Sequence, residues 1–170
     1  VNKNLFNKTK NLGAKSDIAR YEILYNEGGI YLDSDFEMVN SFDKLLKMEF
    51  FTGVGHSKKP MVYNGLIGCT QRNEMMKILI ENLSPSKKRS VSHHAIMQHS
   101  GPFYFTKLFF EYLRENTDKK LVVLPGAYFY PFPALRRNEI DHTKPNFNKL
   151  INSYNTEDTI CIHLWYNAWQ

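Results

Sequence analysis

The stretch that most constrains the fold covers residues 14–37 and reads AKSDIARYEILYNEGGIYLDSDFE. Its first half predicts a helix, because apolar side chains recur at helical spacing, at Ile18, Tyr21, Leu24 and Tyr25. Ser16 is a suitable N-cap, and Gly28 and Gly29 can end the helix because glycine tolerates backbone conformations that other residues avoid. The apolar residues 30–32 then indicate a short buried strand. The stretch therefore predicts a helix that leads directly into a strand.

Two aspartates, Asp33 and Asp35, follow that strand with one serine between them. In an open α/β sheet the loops beyond the carboxyl ends of the strands bind ligands, so both carboxylates can face one site. Carboxylate oxygens suit Mg²⁺ or Mn²⁺, and magnesium is usually held together with substrate phosphates. An isolated Asp-Ser-Asp is more often a solvated turn. Here the preceding strand, and Asp17 and Arg20 on the helix before it, favour a metal–diphosphate site.

The same residues carry a resemblance to a known family. The pattern S-D-x-x-R-Y-x-x-L-Y, followed by G-G-x-Y-x-D-x-D, resembles the signature of glycosyltransferase family 32, whose members have a DxD sugar-binding motif. That family includes mannosyltransferases, α-1,4-galactosyltransferases and sugar transferases of capsular-polysaccharide biosynthesis. The resemblance implies an α/β domain of the GT-A, Rossmann-like type. It also implies metal-dependent, retaining transfer of a sugar from a nucleotide-sugar, UDP- or GDP-linked, to a hydroxyl group of a glycan or polysaccharide.

The resemblance further implies a role for each matching residue. Asp35 would bind the metal ion, Mn²⁺ or Mg²⁺, with help from His163 near the end of the chain. Asp33 would contact the ribose or the donor sugar, and Asp17 and Arg20 would hold sugar hydroxyls. A histidine that simply ends a strand is the alternative for His163.

Other candidate residues lie later in the sequence. The family resemblance implies that Asn64, within MVYNGLIGC, lies near the donor sugar and the acceptor cleft, and the alternative is an Asn-Gly turn between two strands. Gly101, in Ser-Gly-Pro, resembles the family's T-G-P element beside the active site, although a plain chain reversal would use the same residues. The C-terminal HLWYNAW resembles an H-x-W-x-x-S-W element, which implies that His163 and Asn167 lie at the metal and the diphosphate and that Trp165 or Trp169 closes over them. Core packing is the alternative for both tryptophans.

The rest of the chain predicts ordinary elements of one domain. Strands are expected at residues 49–54, 121–124 and 159–163, and helices over 73–83 and 103–113. Residues 134–155 have few periodic apolar side chains and are predicted to form a long loop that borders the acceptor cleft. We expect one catalytic domain over residues 1–170 that lacks the N-terminal portion of the family, which puts donor binding by this chain alone in question.

Composition narrows the partners. The formal charge is +5, but the basic residues are dispersed and no nucleic-acid motif is present, so we expect no nucleic-acid partner. No apolar run approaches the ~18 residues of a membrane helix, so a membrane association is not evident. The two cysteines, Cys69 and Cys161, are expected to be buried thiols. We expect a cytoplasmic protein, the alternative being the luminal part of a Golgi-type, membrane-anchored enzyme.

Two other functions fit parts of the pattern. A phosphatase of the haloacid dehalogenase type also carries D-x-D after an apolar strand, but it needs a threonine soon after the second aspartate, and Phe36 and Glu37 stand there instead. An inactive or truncated transferase-fold binding protein would keep the motif without turnover.

Overall fold

The computed structural model describes residues 1–55, 61–84, 92–116, 121–141 and 143–166. The helices are α1 (Lys3–Lys8), α2 (Leu12–Glu27), α3 (Glu74–Asn82), α4 (His93–His99), α5 (Pro102–Glu115), α6 (Gly126–Phe129) and α7 (Phe147–Asn152). The strands are β1 (Gly29–Leu32), β2 (Phe36–Met38), β3 (Phe50–Gly55), β4 (Met61–Cys69), β5 (Leu121–Leu124) and β6 (Cys161–His163). Short 3₁₀ helices cover Asp43–Leu45 and Ala134–Glu139. The predicted α/β class is confirmed.

The strands form two sheets. In the larger one the order is β1-β4-β3-β5, with β4 antiparallel to both β1 and β3, and β5 parallel to β3. The smaller sheet pairs β2 with β6 in antiparallel fashion and places Phe36 opposite His163. This second pairing brings the segment after the two aspartates against the C-terminal strand, which lies far away in the sequence.

Side chains of β3 show how the larger sheet is covered on both faces. Phe50 and Phe51 point to opposite faces, as neighbours on a strand must. Phe50 stacks on Phe109 of α5, with 5.9 Å between the ring centroids, in a core that α2, α3 and α5 share. Phe51 packs against Phe129 of α6 on the other face, at 6.4 Å. The two apolar cores hold β1 and β4 rigidly, and the candidate site lies at their edge.

Helix α2 starts earlier than its sequence pattern suggests. Asn11 is the N-cap, because its side chain accepts a hydrogen bond from the backbone N–H of Ala14 at 3.1 Å. The prediction of Ser16 as the cap is therefore wrong, and Ser16 lies inside the helix with its hydroxyl free to bond side chains. The predicted end is confirmed: Gly28 closes the helix, with its N–H bonded to the carbonyl of Leu24 at 2.8 Å.

Other predicted elements have mixed outcomes. The strands and helices expected near residues 49–54, 73–83, 103–113, 121–124 and 159–163 are all present. The alternative of an Asn-Gly turn at Asn64 is wrong, since this residue lies within the continuous strand β4. The prediction of one long loop over residues 134–155 is also wrong, because Ala134–Glu139 and Phe147–Asn152 are helical. Both helices are too short to show a periodic apolar pattern.

Both cysteines are buried free thiols, as expected. Burial raises the pKa of Cys69 to about 12, so its thiol stays protonated at neutral pH. None of the helices in the part of the chain that the structure describes is long and apolar enough to cross a membrane.

The helix-to-strand junction gives a first testable prediction. Gly28 has φ 69° and ψ −161°, a region open almost only to glycine, and a Cβ there would lie 2.6 Å from the backbone nitrogen of Gln71. Gly29 also has a positive φ, of 97°, but a Cβ there would meet nothing within 4 Å. Gly28→Ala should therefore lower the free energy of unfolding by more than Gly29→Ala, whose loss reflects backbone strain alone, roughly 1–3 kcal/mol. Urea denaturation measures both losses, and equal values would show that the contact with Gln71 is easily relieved.

Candidate active site

The predicted site residues meet in one cavity of about 640 Å³. Those within the described part of the chain all line it, namely Asp17, Arg20, Asp33, Asp35, Asn64, Gly101, His163 and Trp165. Asn167 and Trp169 lie outside the described residues. The cavity wall thus combines α2, the end of β1, the middle of β4, the α4–α5 turn and the C-terminal strand.

Arg20 lies at the centre of the polar contacts. Its Nη1 is 3.2 Å from Oδ1 of Asp33, and its Nη2 is 3.3 Å from Oδ1 of Asp17. Nη1 also donates to the backbone carbonyl of Asn64 at 2.6 Å. The Arg20 side chain is only 6% exposed. One guanidinium therefore joins the helix, the end of β1 and the central strand.

Two neighbours complete the surroundings of this guanidinium. Ser16, one turn earlier, accepts from Nη2 through its hydroxyl at 3.0 Å, and the ring of Tyr31 lies under the guanidinium at 4.3 Å. Burial by itself lowers the pKa of Arg20, but the carboxylates of Asp17 and Asp33 more than offset it, so the pKa is raised. Arg20 is a permanent cation.

Asp17 is buried with both carboxylate oxygens occupied. Oδ1 accepts from the side-chain amide of Asn64 at 2.8 Å, and Oδ2 accepts from the hydroxyl of Ser100 at 2.8 Å. Burial is the largest influence on the pKa of Asp17 and raises it, and the opposing effects of Arg20, Ser100 and Asn64 do not cancel this rise. A carboxylate has about four acceptor positions, so Asp17 retains some capacity toward a ligand in the cavity.

Two residues of this network, Ser100 and Tyr21, make hydrogen bonds that the sequence does not reveal. Ser100 donates to Asp17, and its backbone carbonyl accepts from the hydroxyl of Tyr21 at 2.6 Å. That Tyr21 hydroxyl also accepts from the amide of Asn64 at 2.9 Å. The apolar spacing predicts Tyr21 only as part of the buried face of the helix, and it carries no signal for these hydrogen bonds.

Two glycines allow close approaches at the site, one to a carboxylate and one between backbone segments. A Cβ on Gly65 would lie 2.7 Å from Oδ2 of Asp33, whose N–H donates to the Gly65 carbonyl at 2.8 Å. A Cβ on Gly101 would lie 2.9 Å from the Cα of Met97 and 3.5 Å from Oδ2 of Asp17. Gly101 thus permits the tight α4–α5 turn beside the site, and Gly65 is a site residue that the sequence did not reveal.

A second group of polar side chains could hold a metal ion. Asp33, Asp35 and His163 each offer a ligand atom, and these atoms lie within 4.8 Å of one another. Nε2 of His163 is 3.1 Å from Oδ1 of Asp35, while Oδ2 of Asp35 accepts from the backbone N–H of Tyr166 at 2.9 Å. Nδ1 of His163 is buried without a hydrogen-bond partner among the described residues.

Aromatic rings hold His163 in place. Its ring centroid lies 4.1 Å from that of Trp165 and 4.6 Å from that of Phe36. Trp165 in turn donates from Nε1 to the carbonyl of Phe132 at 2.9 Å, and its backbone has a positive φ of 59°. Trp165 therefore packs beside the possible metal ligands and also forms part of the core around Phe132.

Comparison of the sequence with known proteins identifies the family of this chain. Residues 2–52 match the family described as the glycosyltransferase sugar-binding region containing a DXD motif. The chain belongs to the DXD-motif glycosyltransferases of the family 32 type. The matched region carries α2, β1 and both aspartates of the motif, so the resemblance seen in the sequence is confirmed.

Individual members of the family are distant from this chain. A lactosylceramide 4-alpha-galactosyltransferase of Rattus norvegicus is 24% identical over 88% of this chain and 40% of its own length. Inositol phosphoceramide mannosyltransferase 1 of Schizosaccharomyces pombe is 32% identical over 68% of this chain and 36% of its own length. The chain therefore spans less than half of either relative. Among solved structures, PaToxG glycosyltransferase matches 62% of this chain and 37% of its own, with a TM-score of 0.46 and 22% identity.

The buried network around Asp17 predicts a stability effect at Ser100. Ser100→Ala removes the donor to Oδ2 of Asp17, and a buried acceptor left without its partner costs about 1–3 kcal/mol. Ser100→Thr keeps the hydroxyl and should restore most of the free energy of unfolding, as measured by chemical denaturation. If Ser100→Ala were as stable as the unchanged chain, the hydroxyl would have no structural role.

Proposed function

We propose that this transferase-family chain catalyses metal-dependent, retaining transfer of a sugar from a nucleotide-sugar to a hydroxyl group of a glycan or other acceptor. The observation that carries the proposal is the grouping of Asp33, Asp35 and His163 within 4.8 Å, beside the buried Arg20 network, in one cavity. Family membership supports the same reaction class. Because the family match includes the DxD motif, the alternative of a phosphatase of the haloacid dehalogenase type loses its support.

The chemistry of the ligand set fits a divalent ion. Asp35 and His163, with Asp33 nearby, would hold Mn²⁺ or Mg²⁺. Two carboxylates and one imidazole favour Mn²⁺ of the two, because Mg²⁺ is bound almost entirely by oxygen. When bound, such an ion neutralises negative charge on a diphosphate.

The residues of the chain itself would position the donor. Arg20 fixes the carboxylates of Asp17 and Asp33 in the cavity wall before any ligand arrives, so sugar hydroxyls meet acceptors that need no rearrangement. In the transfer, the bond between the anomeric carbon and the diphosphate oxygen breaks with its electron pair on that oxygen. The acceptor oxygen forms the new bond, and its proton passes to the departing diphosphate.

Retention of configuration is proposed from the family resemblance, and the pairing of the carboxylates bears only on its route. A double displacement needs a carboxylate that is free to attack carbon. Among the described residues of the cavity wall, Asp17 and Asp33 are paired with Arg20, and Asp35 is paired with His163. We therefore propose attack on the same face that the diphosphate leaves.

The donor and the acceptor are proposed only as classes. The relatives are named as a galactosyltransferase and a mannosyltransferase, which supports a UDP- or GDP-linked hexose as the donor. Transfer to a polysaccharide, the cytoplasmic location and the single domain stay predictions.

Thermal-shift measurements with a panel of nucleotide-sugars, with and without Mn²⁺, test the proposal. We expect at least one donor to raise the melting temperature only when the metal is present. If no nucleotide-sugar raises the melting temperature, the alternative of an inactive or truncated transferase-fold binding protein is favoured.

The metal assignment has its own test. Asp35→Ala should abolish the Mn²⁺-dependent shift, because it removes a carboxylate that reaches His163 and faces the cavity. Glu37→Ala is the matched control, since Glu37 lies two residues away on β2 and does not line the cavity. A metal-dependent shift that survives in Asp35→Ala would exclude Asp35 as a ligand.

A further inference from the structure

A short 3₁₀ helix forms one wall of the cavity. Ala134 and Arg137, three residues apart on the helix Ala134–Glu139, both line the cavity. In a 3₁₀ helix, residues three apart lie on the same side, one above the other. Arg136 and Glu139, also three apart, form an ion pair on a different side, and Arg136 bonds the hydroxyl of Tyr154 as well. The two neighbouring arginines therefore face different surroundings.

The helix is attached to the half of the site that could hold a metal. It follows closely after Phe132, whose carbonyl accepts the hydrogen bond from Nε1 of Trp165. The Trp165 ring in turn lies 4.1 Å from the ring of His163. The segment that carries this helix is thus connected to His163 through Trp165, and Arg137, Asp35 and His163 line the same cavity.

The charges in the wall leave a role for Arg137. The described carboxylates of the wall are those of Asp17, Asp33 and Asp35, and Arg20 is engaged by two of them. Three carboxylates, Arg20 and a divalent ion together have a net charge of zero, so a bound diphosphate would leave the site with net negative charge even when the ion contacts it. Arg137 forms no ion pair with any residue in the described part of the chain. Its planar fork of N–H donors matches phosphate oxygens.

We propose that Arg137 binds the diphosphate group of the donor and stabilises it as the leaving group, an inference that rests on the proposed function. Its guanidinium would offset the negative charge of the diphosphate that the bound ion leaves uncompensated. Nucleotide base and sugar play no part in this contact, so a bare diphosphate is a sufficient probe.

Calorimetric titration of inorganic pyrophosphate into the 170-residue chain, with Mn²⁺ present, tests the inference. Arg137→Gln should weaken pyrophosphate binding by about tenfold, since a charge-assisted contact is lost. Arg137→Lys should restore part of the affinity, because it keeps the charge but loses the planar fork. Arg136→Gln is the matched control: it removes the same charge from the same helix and should bind pyrophosphate as the unchanged chain does. Binding of Mn²⁺ alone should be the same in all of these chains.

The outcomes separate this inference from the proposed function. If the unchanged chain binds no pyrophosphate in the presence of metal, both the metal–diphosphate site and the role of Arg137 are overturned. If the unchanged chain and Arg137→Gln bind pyrophosphate equally well, only the role of Arg137 is overturned. This result is expected if Arg137 instead contacts an anionic acceptor. Equal weakening by Arg136→Gln would also overturn it, because net charge alone would then explain the loss.

Discussion

The buried guanidinium of Arg20 is the contact on which the site depends. Taking a charge out of water costs several kcal/mol, and the cost is recovered only when partners and hydrogen bonds are well placed. Arg20 has them in the carboxylates of Asp17 and Asp33, the carbonyl of Asn64 and the hydroxyl of Ser16. Because these groups come from α2, β1 and β4, an error in the packing of any of them would leave a buried charge unpaired. The ion pairs therefore fix the relative positions of three elements.

The two halves of the site are built differently. The Arg20 half lies against the core of α2 and α5, and every contact that holds Asp17 is buried. The other half depends on β6, which pairs over three residues with β2, and on Trp165 with its positive φ. Asp17 is held by buried polar contacts to Asn64, Ser100 and Arg20. His163 instead pairs with Asp35 and packs against aromatic rings, so one half of the site is held by a polar network and the other largely by aromatic packing.

Whether a feature of the fold or the site could be predicted depends on how far apart in the sequence the residues that determine it lie. Helix α2 and strand β1 were predictable because periodicity and paired glycines are local. The choice between Asn11 and Ser16 as the N-cap was not, since both are good caps and apolar spacing does not mark the first turn. The hydroxyl of Tyr21 donates a hydrogen bond to a carbonyl 79 residues away, and no local sequence pattern predicts such a partner. His163 and Gly101 were found only because a family resemblance carried information from distant positions.

Asp33 lies between the two halves of the site, and its two carboxylate oxygens have different contacts. Oδ1 is held by Arg20 at 3.2 Å and by the hydroxyl of Tyr31 at 2.7 Å, whereas Oδ2 lies over the backbone of Gly65. The first oxygen thus fixes the side chain, and the second occupies the space that a Cβ on Gly65 would need. Replacing Gly65 with any larger residue would therefore displace the Asp33 carboxylate from its position in the cavity wall. A strand with glycine opposite the first aspartate of the motif is therefore as much a part of the site as the aspartates.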